Sequence, residues 1–581
     1  MKIVESDTDI VNEQVEGFDV DIVSKSVNDT VKEAIEYRKK NVWGTNNGAV
    51  DFNYLPHKNE LNAIAKDLHS NNRKVAILVD VDVDGYMSAA IIYKAIKSIN
   101  NKQDIDMLFP DVKLHGIKAN VGLVNDEYDY IFCPDSSSND LQTISKLEKN
   151  KRTKVVVIDH HILEHEDYII DNPDKFLIVS NQYQDSELNK ELTGAGMSLL
   201  VSELWREDYD IEANFDLAAI GQIADMSDLN DEGVFNIVKK GLSETTNEML
   251  LMFFKDDEEV RSIKHIQFTL IPKINAVSRI GNHEERQLIF NSFIDKGEVM
   301  PVSVRHKGGD GKMHTESVDM NVYERANSVL KKVKGRQDRL VKSALKDVEW
   351  LSDSDSEYNA IVIGDKFSKG ISGLVANKLL GQTKQPSLVF KRNGDRLDGS
   401  GRFPENINGL KLLKDIDGVF AAGHEQAFGV GFPEDKFSIV SKVVNVASKQ
   451  SPDYVYRVDS AYVDELPTIE EIRDIYQESV IFRGAKDEIK LAILGLKVDK
   501  KDIVLKNNWT KIKIGGLVIN DFNTTDDMKE YINKFGDKCF SFVCSVGFNF
   551  WGKEPTPQLN VDKIVKSDGV KVEVTKDNFI F

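Results

Sequence analysis

Residues 75–79 are five apolar positions in a row, and the run stops in carboxylates at alternate positions, Asp80, Asp82 and Asp84. An uninterrupted apolar run of this length predicts a buried strand. In extended backbone alternate side chains share a face, so the three aspartates converge if extension persists. Gly85 then allows a sharp turn, and the apolar stretch from Ser88 predicts a helix. Similar runs recur at 130–134, ending in Asp135, at 154–158, ending in Asp159, His160 and His161, and at 176–179. An amphipathic helix is expected over 59–70. Short apolar strands separated by helical stretches predict an α/β domain with a mainly parallel sheet. Ligands collect at the carboxyl ends of such strands, where all three acidic terminations fall.

Further along, Thr193 to Gly196 opens a helix, and an apolar helix runs from Asp216 into Asp225. Residues 301–315 read as a loop and 318–350 as a long helix. Its Lys331, Lys332, Lys334, Arg336, Arg339 and Lys342 read as a solvated face. A second, smaller α/β domain is expected next, with glycine clusters at 399–402 and 422–429. Strand-like alternation at 509–515 and 539–550 predicts a C-terminal β-barrel, OB-like. The expected division is a frayed lead-in with one peripheral helix over 1–50, a first α/β domain over 51–315, and a connecting helix over 316–352. The second α/β domain takes 353–448 and the β-rich domain 449–581.

A chain of 581 residues with 41% hydrophobic and 29% charged positions is of ordinary globular composition. No run reaches the roughly 18 apolar residues of a membrane span, and the first residues lack signal-peptide character. Three cysteines without a C-x-x-C pair support neither a disulfide framework nor a zinc ribbon. A reducing, cytoplasmic setting follows. The net charge of −20 argues against wrapping duplex DNA, although a nucleic-acid enzyme needs only local positive charge. The Lys, Asn and Ile-rich usage fits an AT-rich bacterial or phage genome.

Three aspartates clustered at a strand end repel one another unless a cation neutralises them. Asp80, Asp82, Asp84, Asp135, Asp159, His160, His161 and Asp225 together offer hard oxygens and imidazoles without thiolate, which favours Mn2+ or Mg2+ over structural zinc. Two such ions roughly 3.5–4 Å apart clamp a phosphate for in-line attack. Asn275 and Arg279 lie four apart, on one face if helical, and either hold a phosphate oxygen or pair structurally. Gly399 to Arg402 offers N–H groups and a guanidinium for an anion, or is a tight turn with a surface arginine. His424 either donates to a phosphate or packs.

Asp80-x-Asp82-x-Asp84-Gly85 after a strand, Asp159-His160-His161 and Ala224-Asp225, in this order, resemble the DHH phosphoesterases. Residues 370–376, Gly399 to Arg402, and Gly423-His424 with Ala427 and Gly429 resemble the associated DHHA1 domain. Pro272, Asn275, Ala276, Arg279 and Gly281, with 192–196, resemble the RecJ branch of single-strand-specific exonucleases. The resemblance spans about residues 55–450. It implies Asp82, Asp84, Asp135, His160 and Asp225 as metal ligands, with Asp80 as an additional one. It implies His161 facing the scissile phosphate with Asp159 behind it. Asn275, Arg279, Ser372, Gly373, Arg402 and His424 become substrate-holding residues in a narrow cleft between the two α/β domains.

The sequence departs from the family's pattern at three places. Ser136, Ser137 and Ser138 replace a glycine-bearing turn after Asp135, Ser278 stands where glycine is usual, and Ala422 replaces the first glycine before His424. None removes a ligand. The expected activity is metal-dependent hydrolysis of single-stranded DNA, 5′ to 3′, to nucleoside 5′-monophosphates, by a monomer with a single-strand-binding protein as candidate partner. A nanoRNase or phosphoadenosine phosphate phosphatase is the rival enzyme, but residues 449–581 exceed what those compact relatives carry. A non-catalytic Cdc45-like scaffold would show eroded ligands, and here they are intact.

Overall fold

The computed structural model describes residues 10–567, apart from 16–17, 24–30, 111–114, 125–126, 145–152, 165–175, 255–260, 308, 310, 368, 405, 451–457, 507–508, 523, 535 and 550–554. Strands β1 (Ile10–Val15) and β2 (Phe18–Val23) pair antiparallel, and a helix follows at Val31–Asn41. The expected lead-in therefore contains a hairpin, while residues 1–9 lie outside the described ones.

The chain divides into two compact units. One comprises Arg38–Arg336 with Ile481–Asp487. Its five strands are β3 (Lys74–Leu78), β4 (Asp104–Leu108), β5 (Tyr130–Pro134), β6 (Lys154–Asp159) and β7 (Phe176–Ser180). All pair in parallel, in the order β4-β3-β5-β6-β7. The chain leaves β3 to one side for β4 and returns across it to β5. The carboxyl ends of β3 and β5 thus flank the topological switch point, where open parallel sheets bind ligands.

Burial explains the uninterrupted apolar strands: the central ones are covered on both faces. One side packs on the helices Val83–Ile99, Gly194–Arg206 and Phe215–Ala224. Phe290 meets Tyr86 and Phe109 there edge-on, and Trp205 stands perpendicular to Phe132 at 6.4 Å. Trp205 also donates its Nε1–H to the Leu61 carbonyl at 3.1 Å, so the indole is buried without an orphaned donor.

The expected loop at 301–315 is instead a hairpin, β8 (Met300–Lys307) against β9 (Met313–Met320), with Gly309 and Gly311 between the strands. The long helix is shorter than expected, Val322–Ala344, and β10 (Val348–Trp350) follows it. Lys331, Lys332, Arg339 and Lys342 are exposed, as a solvated face requires. Arg336 instead pairs with Glu285 at 2.7 Å.

The other unit comprises Met1–Tyr37, Gln337–Val480 and Glu488–Phe581. It holds a six-stranded mixed sheet of β10 with β11 (Asn359–Ile363), β12 (Ser387–Asn393), β13 (Arg396–Arg402), β14 (Phe420–Gly423) and β15 (Ala427–Pro433). The order is β10-β11-β12-β13-β15-β14, and β13 is flanked on both sides. Gly399 to Arg402 is therefore neither a turn nor a loop. Its backbone belongs to the ladder, paired with β12 on one side and β15 on the other.

The C-terminal strands are β16 (Ser460–Val463), β17 (Lys490–Val498), β18 (Ile503–Lys506), β19 (Trp509–Ile514), β20 (Leu517–Asp521), β21 (Lys538–Asn549) and β22 (Thr556–Lys566). They form an open sheet in the order β16-β17-β21-β22-β20-β19-β18, not the expected barrel. Closure would need β16 to meet β18, and these strands lie at opposite edges. The parallel pairs β16–β17 and β20–β22 require crossovers, which the helices Ile469–Ile475 and Asp526–Asn533 supply.

Candidate metal centre

The extended run predicted through Asp84 ends earlier. Asp82 is the N-cap of the helix Val83–Ile99, its Oδ1 accepting from the Gly85 N–H at 3.1 Å. Asp80 and Asp82 thus stand before the helix and Asp84 in its first turn. Convergence comes from this change of backbone rather than from strand alternation. Nor does Gly85 make a sharp turn: a Cβ there would come within 2.5 Å of the Asp80 Cβ, so its smallness lets the helix start against Asp80.

Two other glycines act the same way. A Cβ at Gly194 would lie 2.5 Å from the Asp135 Cβ, and one at Gly221 would lie 2.3 Å from Asp84 Oδ1. Two helices thereby press their backbones against the aspartates. Asp84 Oδ1 accepts from Thr193 Oγ1 at 2.8 Å and from the Ala195 N–H at 3.1 Å, at the start of the helix Gly194–Arg206. That fixes one oxygen and leaves Oδ2 for other work.

Ligand atoms of Asp80, Asp82 and Asp135 lie within 4.8 Å of one another, as do those of Asp135, Asp159, His160 and His161. His160 Nε2 is 3.2 Å from Asp135 Oδ1, 3.8 Å from Asp225 Oδ2 and 3.9 Å from Asp84 Oδ2. The structure therefore brings Asp80, Asp82, Asp84, Asp135, His160 and Asp225 into one place. Asp80 Oδ1, Asp84 Oδ2 and Asp135 Oδ1 are buried without a hydrogen-bond partner. Buried carboxylate oxygens left unpaired are costly unless a cation takes them up, so the donor set fits hard divalent ions.

Burial first, and then Asp84, Asp82 and Asp80, hold the Asp135 carboxyl well above the usual range. Desolvation and then Asp84 and Asp82 push Asp225 up to about 8, although 40% of its side chain is exposed. Asp80 and Asp84 are raised, again chiefly by burial. Burial lowers His160, keeping the imidazole neutral and able to act as a ligand.

Asp159 behaves differently. Its Oδ1 accepts from the His160 N–H at 2.8 Å and bonds His161 Nδ1 at 2.7 Å, while Oδ2 accepts from the Ser138 N–H at 3.1 Å. Burial would raise its pKa, but the His161 bond and both imidazoles outweigh that and hold it well below the usual range. With its oxygens occupied, Asp159 orients His161. Burial opposes the charge on His161, yet the Asp159 bond wins and lifts it to about 9.

Asn275 and Arg279 fall on the helix Ile271–Ile280, as expected. Arg279 lies close enough to feel the Asp82 charge, although burial lowers its pKa on balance. Asn275 Oδ1 is buried without a partner. In the other unit, Ser372 Oγ bonds Ser400 Oγ at 2.8 Å, and a Cβ on Gly373 would lie 2.9 Å from Arg402 Nη2. Arg402 pairs with Ala427 in the sheet, and Ala427 closes a turn with His424, whose side chain is exposed. Ser372, Gly373, Arg402 and His424 thus share one end of that sheet.

Sequence reasoning missed His115, whose Nδ1 bonds Asp80 Oδ2 at 2.8 Å. The only signal for it was a lone histidine before a glycine beyond β4. Thr193 was visible as a helix start but not as the residue that locks Asp84.

Residues 74–221 match the DHH family, N-terminal domain. Over 551 residues the chain is 28% identical to the SPbeta prophage-derived protein YorK of Bacillus subtilis (strain 168), whose name describes a single-strand DNA-specific exonuclease. The match covers 88% of this chain and 92% of that one. The single-stranded-DNA-specific exonuclease RecJ of Bacillus subtilis (strain 168) is 23% identical over 87% of this chain and 62% of its own length. Among solved structures, RecJ of Thermus thermophilus in complex with Mn2+ superposes with a TM-score of 0.64 at 16% identity, over 89% of this chain and 72% of that one. The same protein in complex with Mg2+ gives 0.60 at 17% identity, over 89% and 71%. These likenesses establish a RecJ-like fold. No helix among the described residues is long and apolar enough to cross a membrane.

Proposed function

We propose that this chain is a metal-dependent exonuclease acting on single-stranded DNA. The observation that carries the reading is the set of three buried, unpaired carboxylate oxygens on Asp80, Asp84 and Asp135, grouped with His160 at the switch point of the sheet. Asp82, Asp84, Asp135, His160 and Asp225, with Asp80, would hold two divalent ions, Mn2+ or Mg2+. When bound, these supply Lewis acidity toward the phosphate and lower the pKa of a coordinated water.

His161, aimed by Asp159, donates to a phosphate oxygen as negative charge builds there. Its Nδ1 is occupied by Asp159, which leaves Nε2 for the substrate. Arg279 and Asn275 steady the adjoining phosphate, and Ser372, Gly373, Arg402 and His424 take a further one. Single-strand preference rests on the family resemblance and on the names of the relatives, and a 5′ to 3′ direction with release of nucleoside 5′-monophosphates rests on the resemblance alone.

Digestion of end-labelled single-stranded and duplex oligonucleotides with Mn2+ or Mg2+ tests the reading. The expected result is stepwise shortening of the single strand alone, abolished by chelation and by the Asp82→Ala/Asp84→Ala double substitution. Full metal-dependent activity in that double variant would refute the assignment.

A further inference from the structure

Met226 follows Asp225 and holds left-handed backbone, φ +59°, with 46% of its surface exposed. It stands just past the helix Phe215–Ala224, where the Met226 N–H bonds the Ile223 carbonyl and the Ser227 N–H bonds the Gln222 carbonyl. Glycine is the usual residue in such a helix end, because a Cβ crowds the following carbonyl there. A methionine in this position is strained backbone next to a candidate metal ligand, the setting in which strain points to function.

The side chain is also steered. Met226 Sδ accepts from Gln267 Nε2 at 3.4 Å, and Gln267 Oε1 accepts from the Ala485 N–H at 3.1 Å. Gln267 lies on a widened helical turn, in which the Ile271 N–H reaches back five residues to the Ile266 carbonyl. Pro272, which cannot donate, follows and accounts for the widening. Ile162 follows His161 and is 78% exposed. Two bare apolar side chains thus stand one residue beyond two residues of a site otherwise made of carboxylates and imidazoles.

We propose that Met226, with Ile162 as a second apolar contact, meets the base of the nucleotide whose phosphate is cleaved, so that the site recognises a base as well as phosphates. This rests on the nuclease reading. A polarizable thioether packs on any aromatic face, whatever the base, and suits an enzyme that must accept all sequences.

The test uses the full chain with Mn2+ and two single-stranded oligonucleotides, one ordinary and one with abasic residues at both ends. The parent is expected to favour the ordinary strand through KM. Met226→Gly, whose backbone suits this φ, and Met226→Gln, polar and of equal length, are expected to lose about three- to tenfold of that preference. Melting curves with Mn2+ are expected to show both variants folded and metal-responsive. An unchanged preference in both variants would overturn the inference and leave the nuclease reading standing. Failure of the parent to cut the ordinary strand would overturn both.

Discussion

His160 Nε2 and Asp135 Oδ1 stand 3.2 Å apart at the carboxyl ends of two adjacent parallel strands. The Asp135 carboxyl is held well above its usual range by burial and by Asp84, Asp82 and Asp80. Replacing the carboxyl by Asp135→Asn is expected to raise the melting temperature of the metal-free protein, because the folded chain no longer has to keep a buried acid protonated at neutral pH. The same change is expected to erase the Mn2+-induced rise in melting temperature and to cut Mn2+-dependent nuclease activity by more than about a hundredfold. Thermal melts with and without Mn2+, beside a rate assay, check both halves.

The Asp225 carboxyl, pushed up to about 8, gives a pH dependence of definite sign. Between the usual carboxylate range and about 8, the folded metal-free chain holds a proton that the unfolded chain has released. Its stability therefore falls as pH rises through that window. Metal binding needs the carboxylate, so the Mn2+-induced rise in melting temperature is expected to grow over the same window, with proton release on binding. Melts at about pH 5.5 and about pH 8.5 decide it, and equal Mn2+ shifts would contradict it.

Glycine in a helix interior is usually worth replacing, since alanine is better by about 1 kcal/mol. Gly381, in the helix Ser372–Thr383, has nothing within 4 Å of an added Cβ, and Gly381→Ala is expected to stabilise by up to about 1 kcal/mol. Gly221→Ala is expected to do the opposite. Its Cβ would meet Asp84 Oδ1 at 2.3 Å and the Ala195 Cβ at 2.4 Å, and overpacking at about 1–3 kcal/mol outweighs propensity. Denaturant titration of both variants, with Mn2+ affinity for the second, tests this pair.

Ser137 has φ +82°, in the turn where the family resemblance leads one to expect glycine. Its Oγ accepts from the buried Ile117 N–H at 3.0 Å. Ser137→Gly relieves about 1 kcal/mol of backbone strain but orphans a donor worth about 1–3 kcal/mol. Ser137→Ala orphans the donor and keeps the strain. The expected order of stability is serine, then glycine, then alanine, read from unfolding midpoints. Glycine ranking first would show that the Ile117 bond contributes little.

The acidic strand ends were legible because a buried parallel strand is nearly all apolar, so a carboxylate at its end stands out. Helical periodicity likewise placed Asn275 and Arg279 on one turn. What sequence could not supply was the backbone between such landmarks. Asp82 as an N-cap looks like another alternating aspartate until the helix start is seen. Gly399 to Arg402 has turn composition, yet β12 and β15 on either side make it a strand. The hairpin Met300–Met320 was hidden because neither face is buried, and the apolar alternation is short, Met300, Val302 and Val304 on one strand and Val318 and Met320 on the other. Barrel and open sheet share the same strand alternation; only pairing order separates them. His115 reaches Asp80 from a different loop, a contact no local pattern encodes.

Gly85, Gly194 and Gly221 each leave no room for a methyl group beside Asp80, Asp135 and Asp84. Every single-base change in a glycine codon that alters the amino acid adds at least that methyl. At these three positions the gene has no conservative neighbour to drift into. The spacing of the carboxylates is thus shielded from gradual evolutionary adjustment through these glycines, and lineages that alter it must first tolerate a damaged intermediate.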